Sequence, residues 1–340
     1  MNTKEILTQL CNLSAVSGFE HAAALGIADM FSEYCDDVSV DLFGNVIAIL
    51  NNTSPGKTIM IDAHLDEIGL MVSYIEDNGF LRFTSIGGID PIILPATEVV
   101  VHGKEKYFGV VGAKPPHLQT SEECKKSYKI EDLFIDVGFD SETVKKIIDI
   151  GDVITFKSYP TPLLENRFCS KSLDNRVGVS VLLQCANVFS NTTLPYKIVF
   201  LVSTQEEVGL RGTKMGAYSL QPDAAIVVDV THAITPAVKS SDGFELGTGA
   251  AIAVGPNIDP SLYEKFLTYS QEAAIPHTIE VCPGSSGTNA WAIQVIAGGV
   301  PCAVISVPIR YMHTPNEIVA IQDLESVVNL ICGVVGGCKL

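Results

Sequence analysis

Two adjacent carboxylates, Glu206 and Glu207, follow the apolar run Ile198-Val199-Phe200-Leu201-Val202 after only Ser203-Thr204-Gln205. Acids in such a place can bind a divalent cation or move protons. The same grammar recurs along the chain. Thr58 to Ala63 leads into His64-Leu65-Asp66-Glu67, Ala225 to Val228 into Asp229, and Ala303 to Pro308, a few residues on, into His313. A further acid, Asp174, stands with Asn175 just before the apolar stretch Val177 to Phe189. Imidazoles and carboxylates without cysteine suit a catalytic zinc, cobalt or manganese rather than a structural zinc site. Two histidines with three or more acids exceed what one catalytic ion needs. They fit two ions about 3.5 to 4 Å apart that share a bridging carboxylate and a water. One residue of the Glu206-Glu207 pair would then bind metal and the other would act as general base.

Each residue also has a plainer reading. Asp229 could cap a helix, His313 could be a satisfied core histidine, and Glu206-Glu207 could form a solvated turn. Their joint occurrence at strand ends is what argues for a site. His232, three residues beyond Asp229, is the nearest rival ligand and reads as a loop or supporting residue. His21, His102 and His277 lack such a context, and His117, within Pro115-Pro116-His117-Leu118, reads as structural or interfacial.

An apolar run of this length that stops at a polar residue reads as a buried strand of a largely parallel sheet. In open α/β sheets the ligand crevice lies outside the carboxyl ends of the strands. The fold class expected is therefore α/β: a mixed, largely parallel sheet flanked by helices. Val177 to Phe189, apolar nearly all round, predicts a buried helix. Asn2 and Glu5 predict a capped helix through Leu13, and Ser17 to Glu20 can cap the next, which runs to about Tyr34. Val38 to Leu50 reads as two strands around Asp41 to Asn45.

From about Met71 to Pro162 the pattern changes to short alternating strands and dense turn signals, such as Asp77-Asn78-Gly79 and Gly87-Gly88, with one helical stretch near Ser141 to Ile150. This predicts a small β domain, residues 71–162, inserted into a catalytic domain made of residues 1–70 and 163–340. Exposed strand edges and apolar residues such as Ile92, Ile93 and Leu94 on so small a domain need a cover, so a homo-oligomer built on a two-fold dimer is expected.

The 340 residues are enough for two cores. A formal net charge of −17 argues against nucleic acid or an anionic membrane surface as partner. No run approaches the length of a membrane helix, and no long apolar stretch follows Met1 to Leu7, so no secretory signal is expected. Nine scattered cysteines without a Cys-x-x-Cys spacing suit a reducing, cytoplasmic setting.

Taken together, Ala63 to Gly69, Ser172 to Arg176, Thr204 to Gly209, Val228 to Thr231 and Arg310 to Pro315 resemble the motifs of the dinuclear metallo-aminopeptidases of the glutamyl/tetrahedral aminopeptidase family, some of whose members carry an endoglucanase label. The likeness holds over nearly the whole chain, including Lys114 to His117 and Asp132 to Gly138. It implies that His64, Asp174, Glu207, Asp229 and His313 hold two zinc or cobalt ions, with Asp174 as the bridge and Glu206 as the general base. Asp66 matches the acid that orients His64, which fixes a tautomer and raises ligand basicity. The resemblance further implies release of amino-terminal residues from peptides by a hydroxide bridging two metal ions, and an inserted domain that mediates dimerisation, in some members within hollow dodecamers. Gly287-Thr288-Asn289-Ala290 has Asn where many members have Asp, in a stretch expected near the substrate.

Two other functions compete. A glycoside hydrolase would use paired carboxylates without metal, which leaves the two histidines idle; chelator sensitivity separates it from a metallopeptidase. A non-catalytic metal scaffold would keep the ligands but would need neither Glu206 nor Asp66.

Overall fold

The computed structural model describes residues 2–51, 53–157, 159–236, 239 and 243–337. Helices α1 (Thr3–Cys11) and α2 (His21–Phe31) precede strands β1 (Asp37–Val40), β2 (Val46–Leu50) and β3 (Thr58–His64). Six short strands follow: β4 (Gly69–Ile75), β5 (Leu81–Ile86), β6 (Glu98–His102), β7 (Lys106–Gly112), β8 (Phe134–Asp136) and, after helix α3 (Ser141–Ile147), β9 (Val153–Phe156). The chain continues through β10 (Thr161–Leu163), β11 (Arg167–Ser170), α4 (Leu173–Ser190), β12 (Lys197–Ser203), α5 (Arg211–Leu220), β13 (Ala224–His232) and β14 (Ala250–Val254). It ends with α6 (Pro260–Glu272), β15 (His277–Val281), α7 (Ala290–Ile293), β16 (Cys302–Arg310), β17 (Glu317–Ala320) and α8 (Ile321–Gly337).

The large sheet has the order β1-β2-β12-β3-β13-β16-β17-β11-β10, with β14 and β15 branching from β16. Its centre, β12-β3-β13-β16, is parallel, and these are the four strands whose apolar runs lead to chemical side chains. Antiparallel strands flank it on both sides. The expected α/β class, a mixed and largely parallel sheet with a second small β structure, is what the chain forms.

The central runs are apolar throughout because both faces of the sheet are covered. Ile59, Ile61 and Ala63 of β3 point into one core with α1, α2, α4 and α8, while Met60 points into a second core with α5 and α7. β13 divides in the same way, Ile226 and Val228 against Ala225 and Val227. This alternation is the pleat of a strand buried on both sides. Each large side chain so buried contributes about 1.5 to 3 kcal/mol. α4 crosses β3 and β13 and packs against α1 and α8, so it has almost no polar face to show.

β4 to β9 close into a separate barrel in the order β4-β5-β8-β7-β6-β9, with its own core around Leu81, Val99, Leu133 and Ile135. Closure corrects one expectation. The barrel leaves no open strand edge to be covered, because β4 pairs with β9 as well as β5. Of Ile92, Ile93 and Leu94, only Ile92 is exposed, and Leu94 is fully buried in the barrel core.

The helix starts also differ in part. Asn2 and Glu5 form a reciprocal capping box at α1, as the spacing predicts. At α2 neither Ser17 nor Glu20 supplies a side-chain cap, and the helix ends at Phe31 rather than near Tyr34. Ser17 and Glu20 are turned instead toward the loops at the sheet's carboxyl edge. Among the described residues no helix is long and apolar enough to cross a membrane.

Candidate active site

β3 ends at His64, which lies level with Ser203 at the end of β12. Asp229 lies on β13 beside Ser306 of β16. Asp174 is held at the start of α4, where it and Asn175 have non-helical backbone angles. His313 follows β16, with a positive φ of 60°. The sequence-predicted residues His64, Asp174, Glu206, Glu207, Asp229 and His313 all line one cavity of about 370 Å³. Ligand atoms of His64, Asp174 and Glu207 lie within 4.8 Å of one another, a spacing that could hold a metal ion.

Asp174 stands between the two histidines. Its Oδ1 is 3.2 Å from His64 Nε2, and its Oδ2 is 3.3 Å from His313 Nε2. Asp229 Oδ1 approaches the first imidazole at 3.8 Å, and Glu207 Oε1 the second at 3.2 Å. In both rings the other nitrogen meets a main-chain carbonyl. His64 Nδ1 lies 3.2 Å from the Asp66 oxygen, and His313 Nδ1 lies 2.8 Å from that of Gly88. A ring that donates Nδ1–H to a carbonyl leaves its Nε2 lone pair for a cation.

Asp66 is fully buried and does more than face His64, whose Nδ1 is 3.4 Å from its Oδ1. The main-chain N–H of Glu206 donates to Asp66 Oδ1 at 2.9 Å and that of Glu207 to Oδ2 at 3.2 Å. Ser17 Oγ adds a bond of 2.6 Å to Oδ2. One carboxylate thus fixes both the ring and the turn that carries the acidic pair. Glu20 accepts from Gln205 N–H at 3.0 Å in the same turn, which explains why it and Ser17 do not cap α2.

Two groups that support the site were not legible in the sequence, Glu317 and Gly88. Glu317, buried on β17, accepts the main-chain N–H of Asp174 at 3.0 Å and of His313 at 2.8 Å. Its only sequence signal is an acid four residues after His313. Gly88 belongs to the inserted segment, so that segment reaches the site through a carbonyl. A Cβ at this position would lie 3.1 Å from His313 Nδ1, so a larger residue would press on the imidazole. His232 and Glu280 complete the cavity wall, with Thr231, Ser286, Gly287, Thr288 and Met312.

Asn289 adjoins the cavity-lining stretch Ser286 to Thr288 without lining the cavity itself. It is buried beneath the cavity, and its Nδ2 donates to Asp62 Oδ1 at 2.6 Å and Ser203 Oγ at 2.8 Å. Its neighbours Ser286 to Thr288 face the cavity instead. An amide suits this position because it can donate to a buried carboxylate that an Asp would repel.

The electrostatics are those of an acid excess withdrawn from water. Burial pushes Glu206 up to about 8; His64 opposes this, and Glu207 and Asp174 add to it. Burial likewise raises Glu207, and it raises Asp229 and Glu317 well above the usual carboxylate range. Asp174 goes the other way: burial would raise it, but hydrogen bonds from His313 and His64 hold it well below that range. His313 is pushed up to about 11 by its bonds to Asp174 and Glu207. Carboxylates crowded in this way keep their charges only when cations share the space. The donor set, nitrogen and oxygen without sulfur, fits a catalytic zinc or cobalt ion.

A mixed sheet with a barrel and an acid-rich cleft at its carboxyl edge defines the class, and residues 44–330 match the model of the M42 glutamyl aminopeptidase family. The chain belongs to that family, whose activity is that of an aminopeptidase, a hydrolase. It is 35% identical over 332 residues to a lysyl aminopeptidase of Pyrococcus furiosus, covering 96% of this chain and 94% of that one. Among solved structures it is similar to the aminopeptidase APDkam598 of Desulfurococcus kamchatkensis, with a TM-score of 0.92, 35% identity and coverage of 99% and 95%. The Pyrococcus horikoshii TET1 peptidase, which can assemble into a tetrahedron or a large octahedral shell, superposes with a TM-score of 0.85 at 29% identity over the full length of both chains.

Proposed function

We propose that the protein is a dinuclear metallo-aminopeptidase that releases single residues from peptides with free amino termini. The observation that carries this reading is the division of Asp174, one oxygen toward His64 and the other toward His313. That arrangement supports two neighbouring cation positions sharing one carboxylate, with Asp229 completing the first and Glu207 the second. Two divalent ions, zinc or cobalt, would acidify a water and polarise the scissile carbonyl. The chain's own residues do the rest. Glu206, in the cavity but outside the ligand cluster, takes the proton of the attacking water and passes it to the leaving amine. Asp66 holds His64 and the Glu206-Glu207 turn in register. Hydrolysis of a panel of amino-terminal residue amides by metal-stripped protein, refilled with zinc, cobalt or manganese, tests the reading. Full activity in the stripped protein would overturn it.

Asp66→Asn is expected to lower activity and metal affinity about 10- to 100-fold without unfolding the chain. An amide keeps one acceptor oxygen, but its NH₂ cannot accept the second of the two main-chain N–H groups. Metal titration and kinetics with an unchanged circular dichroism spectrum check this; wild-type behaviour would reduce Asp66 to a strand-end acid.

We assign residues 1–70 and 163–340 to the chemistry and residues 71–162 mainly to assembly, with the Gly88 carbonyl on His313 and His102 on Ser14 among the contacts between them. The inserted segment presents Tyr74, Ile92, Phe108 and Tyr159 to solvent, between 49% and 65% exposed. Side chains of this kind favour a partner subunit. With the shells formed by TET1, they support a homo-oligomer with a two-fold dimer as building block, extending to a dodecamer. Light scattering on the intact protein at micromolar concentration is expected to show an oligomer, and a monomer would sink this assignment. The described cysteines are free thiols, which supports a cytoplasmic setting.

A further inference from the structure

One carboxylate in the cavity wall has no part in the chemistry above. Glu280 lies on β15, which among the described residues pairs only with β14, and its carboxylate reaches side chains of β16 and β13 further into the sheet. Thr231 Oγ1 of β13 donates to its Oε1 at 2.5 Å, and Ser306 Oγ of β16 to its Oε2 at 2.9 Å. Two hydroxyls therefore fix the orientation of the group. A carboxylate offers about four acceptor directions, so two hydroxyl bonds leave capacity for a further donor from the cavity.

No permanent cation among the described residues pairs with the group there, and the one basic influence on it is His232. Among the described residues lining the cavity there is no Lys or Arg, and His232 is its one basic side chain apart from His64 and His313. Burial raises the Glu280 carboxyl, with the Thr231 and Ser306 hydroxyls and His232 pulling it back. The wall around it is small and polar, from Ser286 through Gly287 to Thr288. Gly287 adds no side chain to this wall, and a Cβ there would meet nothing within 4 Å.

We propose that Glu280 selects peptides whose first residue is cationic, lysine or arginine, by pairing with the end of that side chain. An ammonium or guanidinium supplies the charge-assisted partner that the two hydroxyls cannot. An acidic first residue would meet like charge, and an apolar one would leave the carboxylate without its counter-ion. The inference rests on the aminopeptidase reading and deepens it.

The test compares amides of lysine, norleucine and glutamate, since norleucine keeps the length of lysine without its charge. With zinc- or cobalt-loaded wild-type protein, kcat/KM for lysine is expected to exceed that for norleucine about 10- to 100-fold, the worth of one hydrogen bond to a charged group. Glu280→Gln should collapse this ratio toward one, and Glu280→Lys should turn the preference toward glutamate. Competitive inhibition of the wild type by free lysine and free norleucine gives the same comparison if neither variant folds. Equal use of lysine and norleucine, or a preference for glutamate set by His232, overturns the inference while leaving the aminopeptidase reading intact. Hydrolysis of none of the amides overturns the reading beneath it.

Discussion

Glu206→Gln is expected to lower turnover by about 10² to 10⁴ while bound metal stays at the wild-type level. The substitution keeps size and shape but removes the only function assigned to the side chain, acceptance and return of a proton. The ligand cluster contains Glu207, not Glu206. The turn is held through the main-chain N–H of residue 206 to Asp66, a bond that any side chain preserves. Glu207→Gln should behave in the opposite way. Its Oε1 faces His313 Nε2 at 3.2 Å, so metal content should fall and activity with it. Metal analysis and amide hydrolysis on the two variants settle the assignment. Metal loss in Glu206→Gln, with normal activity per remaining ion, would show that the two roles are exchanged.

The chemical side chains were legible because their strands had to be. A strand covered on both faces must be apolar throughout, so the acid or imidazole that ends it stands out in the sequence. His64, Asp229 and the Glu206-Glu207 pair were all visible on that ground. The groups that hold them were not. Glu317 acts on the main chain of Asp174, 143 residues away. Ser17 and Glu20, read as helix caps, bond to Asp66 and to Gln205 N–H instead. A local rule can nominate a cap but cannot see a distant competitor for the same oxygen. Barrel closure was hidden for the same reason, since β4 and β9 pair across most of the inserted segment. The placement of Asn289 likewise depends on Asp62, far away in sequence and invisible to the spacing of its own loop.

Glu67 shows how far neighbours in sequence can differ in task. It follows Asp66 in the run that carries His64, yet it turns away from the cavity and is buried. Its carboxylate bonds to Lys171 Nζ and Ser172 Oγ, and accepts the main-chain N–H of Ala15 at 2.8 Å. Arg176 Nη2 lies 3.9 Å away, on a side chain that is fully buried and donates from Nη1 to the Leu10 carbonyl. One acid therefore offsets two buried cations and ties the amino-terminal segment to the start of α4. Glu67→Ala is expected to destabilise the fold by about 3 to 5 kcal/mol, because it strands buried charge. Burial would raise the Glu67 carboxyl, but Lys171 and Arg176 outweigh it and hold the group below its ordinary value of 4.5. Its contribution is thus fully present above that value and is lost as pH falls through the lower folded one. Urea unfolding of wild type and variant should show the full difference at pH 7 and a shrinking one under acid. A variant as stable as the wild type at pH 7 would mean that Lys171 and Arg176 find other partners once Glu67 is gone.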